Sequence, residues 1–179
     1  DALVQAIDEA RESVGVETRI SQTIVRHYGP DKAIAAAKAI VEHPHPYFTG
    51  FQMAGAEDAH TPADFRPAYD MAAEAGLRCT AHTGEWLGPD SIRETLAALP
   101  MVERLGHGVR AIHDADLVRE LAERQMPFEV CPGSNNALKV FGSPEEHALR
   151  GLWDAGCFTT LASDYPPYFH TSMGGAIRF

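Results

Sequence analysis

The chain has 179 residues, 45 % of them apolar and 22 % charged, a size and balance suited to one domain with a substantial core. Its formal net charge of −10, with no Lys/Arg cluster, excludes a nucleic-acid partner and favours a small molecule. No apolar run approaches the roughly 18–20 residues of a membrane span, and the opening residues lack the basic-then-apolar layout of a secretory leader.

The apolar runs fall at residues 19–25, 48–54, 77–81, 102–106, 127–131 and 158–162, each of ordinary strand length. After the first, Pro30-Asp31 opens an Ala-rich helix that runs to about Glu42. After the second, residues 64–75 form a helix stopped by Gly76. After the third, Pro89-Asp90-Ser91 starts a helix with Ile92, Leu96 and Leu99 on one face, ended by Pro100. After the fourth, Asp114 or Asp116 caps a helix with Leu117, Val118, Leu121 and Ala122 inward. After the fifth, Ser143-Pro144-Glu145-Glu146 caps a helix whose apolar stripe is Leu149, Leu152 and Trp153, before Gly156.

Strict alternation of strand and helix predicts parallel β/α units, six in all. A (β/α)8 TIM-type barrel typically takes about 250 residues. The chain is therefore expected to hold about six of eight barrel units in a single partial domain over residues 1–179. An open six-stranded α/β sheet is the competing architecture. Since the first residue is not Met, the chain is also expected to begin within a longer protein. Cys79, Cys131 and Cys157 are odd in number and far apart, and each lies in an apolar run. That pattern predicts reduced core thiols in a cytoplasmic protein.

The informative polar residues stand at strand ends. His82 and Glu85 follow the third run, His107 the fourth, Ser134 and Asn135 the fifth, and Asp164 the sixth. In a barrel these ends converge on one mouth, where such folds carry their sites. His82, His107 and Asp164 offer nitrogen and oxygen ligands without thiolate, a set suited to a catalytic zinc with an open position. Zinc lowers the pKa of a bound water to about 7. Glu85, three residues past His82 across a Gly turn, is placed to shuttle a proton.

At these residues the chain resembles the adenosine deaminase family of metal-dependent amidohydrolases. Thr80-Ala81-His82-Thr83-Gly84-Glu85 resembles that family's His-Ala-Gly-Glu signature. Glu103-Arg104-Leu105-Gly106-His107-Gly108-Val109 is similar to its Arg-Leu/Ile-Gly-His-Gly segment, and Cys131-Pro132-Gly133-Ser134-Asn135 to its Cys-Pro-X-Ser segment. Leu161-Ala162-Ser163-Asp164-Tyr165-Pro166-Pro167 resembles Ser/Thr-Asp-Asp-Pro, and the segment from Gly50 to Glu57 resembles Leu-Ala-Gly-Asp-Glu. The order of the five segments is that of the family.

The resemblance implies one Zn2+ held by His82 and Asp164, with Glu85 as the proton shuttle at the purine N1 and His107 positioning the attacking hydroxide. It implies a purine contact from the Gly55 backbone, and it puts Tyr165 where the family has a second, substrate-binding Asp. The family's first-strand His-X-His ligand pair has no counterpart in residues 1–179. The expected activity is deamination of adenosine and 2'-deoxyadenosine to the inosine form. Adenine deaminase, another 6-aminopurine deaminase or an inactive truncated remnant are the alternatives. Neither nucleic acid nor membrane is expected as a partner, whereas self-association of an open barrel is.

Each residue also has a structural reading. His82 can be a turn histidine, His107 a buried hydrogen-bonded one, and Asp164 a helix cap. Ser134, Asn135 and Asn136 read as turn and capping residues. His43-Pro44-His45 mimics a metal pair but precedes its strand, at the opposite rim. His27, His60, His113, His147 and His170 read as surface or capping residues, and Met71, Met101, Met126 and Met173 as core or connection residues.

Overall fold

Among the described residues, six strands pair side by side in the order of the chain, every pair parallel. They are β1 (Ile20–Val25), β2 (Phe48–Ala54), β3 (Arg78–Thr83), β4 (Val102–His107), β5 (Phe128–Val130) and β6 (Thr159–Leu161). The computed structural model describes residues 2–178, so the expected domain limits, Asp1 and Phe179, lie outside the described residues. The helices are α1 (Ala2–Val14), α2 (Pro30–Glu42), α3 (Arg66–Glu74), α4 (Pro89–Ala98), α5 (Ala115–Glu123), α6 (Pro132–Ala137), α7 (Leu149–Asp154), α8 (Pro166–Phe169) and α9 (Met173–Ala176). No described helix is long and apolar enough to cross a membrane.

The strand order decides between the two expected architectures. A doubly wound sheet reverses direction at a switch point, whereas this order runs monotonically from β1 to β6, as in six consecutive barrel units. The strands alternate rather than being apolar throughout. Phe51 and Met53, Cys79 and Ala81, Leu105, and Phe128 and Val130 enter the sheet–helix core. The intervening Gln52, Thr80, Arg104 and Glu129 line the opposite, polar face. Arg104 Nε lies 2.6 Å from Glu129 Oε1 there. Tyr69 shows how the layers lock, its ring edge-on to Phe51 and its hydroxyl donating to the Thr80 carbonyl at 2.6 Å. Removing a large apolar side chain of this kind from water is worth roughly 1.5–3 kcal/mol.

Several boundaries differ from the sequence expectation. β3 and β4 run further than their apolar stretches, because ladder pairing continues through His82↔Gly106 and Thr83↔His107. His82 and His107 thus sit in the last turns of the pleat instead of after it. The helix expected at 64–75 is split into a 3-10 turn, Pro62–Phe65, and α3, because Thr61 and Asp64 close a capping box on the turn. The segment at Ser143 is likewise a 3-10 turn, Pro144–Glu146, followed by the short α7. Trp153 is 64 % exposed, so it is not part of that helix's apolar stripe; Leu152 fills that place. Helix α1 had no counterpart in the sequence reading. Met173 is exposed, while Met126 is buried as expected.

Candidate active site

The C-terminal ends of β2 to β6 bring together residues far apart in the chain. His82 is the fifth residue of β3 and His107 the last of β4. Cys131 follows β5, and Asp164 lies three residues past β6. His82, His107, Cys131 and Asp164 line one cavity of about 400 Å³, with Met53, Thr80, Leu161 and Ser163. Two close approaches make this packing possible. A Cβ on Gly106 would stand 3.1 Å from the His82 backbone, and one on Gly84 would meet Ile92 at 2.5 Å. His107 and Asp164 have left-handed backbone, with φ of 61° and 58°. Non-glycine residues held there store strain, of order 1–3 kcal/mol each, and such strain clusters at functional sites.

The loop after β3 is gripped by Glu57, whose role the sequence reading missed. Its buried carboxylate accepts from four successive backbone N–H groups: Gly84 at 3.2 Å, Glu85 at 2.7 Å, Trp86 at 3.3 Å and Leu87 at 3.0 Å. Burial alone would raise its pKa, but the His82 ring and these N–H groups outweigh burial and hold it at about 2. The signal was available. Glu57 is the acid three residues past β2, on the same rim as the other candidates.

His82 Nε2 lies 3.3 Å from Glu57 Oε1 and 3.2 Å from Glu85 Oε2. Neither contact has directed hydrogen-bond geometry, so Nε2 is a buried nitrogen without a hydrogen-bond partner. Burial lowers the ring's pKa, but the two carboxylates prevail and raise it to about 9. An imidazole nitrogen that is buried, undirected and faced by carboxylates has the chemistry of a metal ligand. His82, Glu85 and His107 have candidate ligand atoms all within 4.8 Å of one another, as do His107, Cys131 and Asp164. His107 joins the two groups. Burial pushes the Cys131 thiol well above its ordinary range, so it stays a neutral thiol, consistent with a core cysteine.

Glu85 is buried beneath the cavity. Burial raises its carboxyl, but His82 and His107 outweigh that and hold it below its ordinary value. His107 is lowered by burial first and then by the neighbouring His82. Asn135 of α6 donates to Glu85 Oε1 at 2.7 Å and stands 3.3 Å from His107 Nδ1. It is fully buried and is more than the turn residue expected from sequence. His147, expected at the surface, is also buried, its Nε2 3.1 Å from Asn135 Oδ1. No local pattern announces either contact, since one spans 50 residues and the other 12.

Gly55 follows β2 with φ of 100°. Tyr165 is 59 % exposed and stacks on Tyr168, with ring centroids 6.2 Å apart, outside the cavity lining. His43 and His45 precede β2, at the far rim, as read from sequence.

A family model described as adenosine deaminase matches residues 1–177. An adenine deaminase of Sinorhizobium medicae is 46 % identical over 173 residues, covering 97 % of this chain and 53 % of its own. A crystal structure of an adenine deaminase from Arthrobacter aurescens superposes with a TM-score of 0.91 at 32 % identity, over 98 % of this chain and 53 % of that one. An amidohydrolase from Burkholderia ambifaria with bound Zn gives a TM-score of 0.89 at 26 % identity, over 99 % and 50 %. The chain thus spans about half the length of the curated relatives it matches.

Proposed function

The chain belongs to the adenosine deaminase family, and from that premise we propose that it carries the metal-binding and proton-transfer half of a hydrolytic 6-aminopurine deaminase acting on adenine. The observation that carries this reading is the convergence of Glu85 and His107 on the buried, undirected Nε2 of His82, with His107 also joining Asp164 on the same rim. Adenosine, placed first by the sequence alone, gives way to adenine because the similar relatives bear that name.

His82 and Asp164 would hold zinc, the metal named in the amidohydrolase relative. Zinc bound there would supply an acidified water, with pKa about 7. The rest of the work belongs to the side chains. Glu85, ionised in the free site, takes a proton from the attacking water and passes it to the ring nitrogen next to the reacting carbon. His107, fixed in a left-handed backbone turn, orients the attacking oxygen. The C6–O bond forms, the C6–N bond breaks, and the amine takes the added oxygen's remaining proton and leaves as ammonia, the first proton staying on the ring nitrogen. The Gly55 backbone is the candidate purine contact, Tyr165 would touch a purine only from outside the cavity lining, and the free, buried cysteines fit a reducing, cytoplasmic setting.

The test follows ammonia release from adenine and adenosine in parallel, using the longest polypeptide that carries this sequence, loaded with zinc. Adenine is expected to react and adenosine to lag well behind. If neither is consumed, the reading fails; if adenosine is preferred, the sequence ranking is restored. Elemental analysis should find zinc in the unaltered protein and less of it in His82→Ala.

A further inference from the structure

The directions of the hydrogen bonds that link His147, Asn135 and Glu85 follow from one backbone amide. The Leu149 N–H can only donate, and it points at His147 Nδ1, 3.1 Å away. Nδ1 therefore accepts, and the ring proton of His147 sits on Nε2. That N–H faces Asn135 Oδ1 at 3.1 Å, which fixes the amide with its oxygen towards His147. The NH2 group must then face the other way. One N–H reaches Glu85 Oε1 at 2.7 Å, and the same nitrogen stands 3.3 Å from His107 Nδ1. These two acceptors are themselves only 3.4 Å apart, and the amide stands between them as their shared donor.

We propose that Asn135 and His147 are positioning residues that set where the active-site protons reside: any proton on Glu85 is confined to Oε2, and His107 is held as its Nε2–H tautomer. A proton on Oε1 or on His107 Nδ1 would meet the Asn135 N–H donor to donor. Oε2 is the oxygen on the His82 side, 3.2 Å from that ring. Glu85 thus presents its proton towards the metal-ligand side, and His107 offers a donor N–H from Nε2, not a basic lone pair. This goes deeper into the deaminase reading and depends on it for its catalytic meaning. The hydrogen-bond assignment itself stands on geometry alone.

Two measurements test it. Two-bond 1H–15N correlation spectra of the metal-free, 15N-labelled chain distinguish a protonated from a bare imidazole nitrogen. His107 and His147 should each show a single tautomer, protonated on Nε2. His147→Leu removes the donor to Asn135 and frees the amide to turn; His107 should then populate the Nδ1–H form. In the zinc-loaded protein, kcat for adenine should fall about 10- to 100-fold, the usual cost of losing such a support, with KM little changed. His147→Gln, whose amide can still donate to Asn135, should restore most of kcat and the single tautomer.

A wild-type His107 protonated on Nδ1 overturns the proposal, and that spectrum decides the matter even where His147→Leu fails to fold. A folded His147→Leu that keeps both tautomer and kcat overturns it equally. Should the wild type deaminate nothing while His107 is the Nε2–H form, the deaminase reading fails and the assignment of the protons survives.

Discussion

Acid should find this protein at two residues in succession. His147 is pushed down to about 4 by burial and then by His107, so the folded state holds it neutral. The unfolded chain protonates near the ordinary 6.5, so stability is lost as pH falls from about 6.5 to 4, by at most about 3 kcal/mol after solvent screening. Glu57 then takes over. Its folded pKa of about 2 lies below the ordinary 4.5, so its contribution is present above 4.5 and lost as pH drops towards 2, again by about 3 kcal/mol. The raised pKa of His82 describes the same contact from the other side and is not added. Urea titrations from pH 7 to 2 should show both windows, and in His147→Gln the upper one should vanish. That His82, Glu85, His107 and Asp164 share one rim was legible in the sequence because each stands at a strand end in a recognisable segment. The position of Glu57 was equally legible, but its grip on amides 27–30 residues away was not, nor was the buried bond of His147 to a group 12 residues away.

At the level of the elements, local chemistry was mostly sufficient. Gly76 and Gly156 follow α3 and α7 with φ of 83°, the left-handed residue that stops a helix. The sequence left Asp114 and Asp116 as rival caps of α5. The structure chooses Asp114, whose carboxylate accepts from the Asp116 and Leu117 N–H groups at 3.0 Å each and from Arg93 of α4 at 2.9 Å. Asp114→Ala should therefore lower the unfolding free energy by about 1–2 kcal/mol. Asp116→Ala, which loses only an exposed pairing with Arg119, should change it by less than about 0.5 kcal/mol. Equal effects in thermal melts would contradict that assignment. Helix α6 escaped notice because six small and polar residues carry no periodicity, yet it is the element that delivers Asn135.

Across the whole molecule, periodicity could count the β/α units but not order them, since a barrel segment and an open sheet share the same alternation. Strand order separates them, and it depends on pairings that no single unit encodes. The two outer strands, β1 and β6, each leave one side of the backbone ladder without a neighbouring strand among the described residues. Trp153 and Phe158 are exposed close to β6 in the chain. Sedimentation of the 179-residue chain should accordingly show association that grows with concentration, and Phe158→Lys should weaken it. A single monomeric species at every concentration would argue that the edges are harmless.

The grip of Glu57 on the loop after β3 has a consequence for redesign. Four consecutive amides of one unit take their hydrogen-bond acceptor from the unit before it. The loop that presents Glu85 is therefore not a portable module. A chimera that exchanges it between barrels must carry the end of β2 along as part of the same cassette, or supply another buried anion at that spot. Swaps cut between β2 and β3 should yield insoluble or inactive hybrids, whereas cuts made before β2 leave the clamp whole.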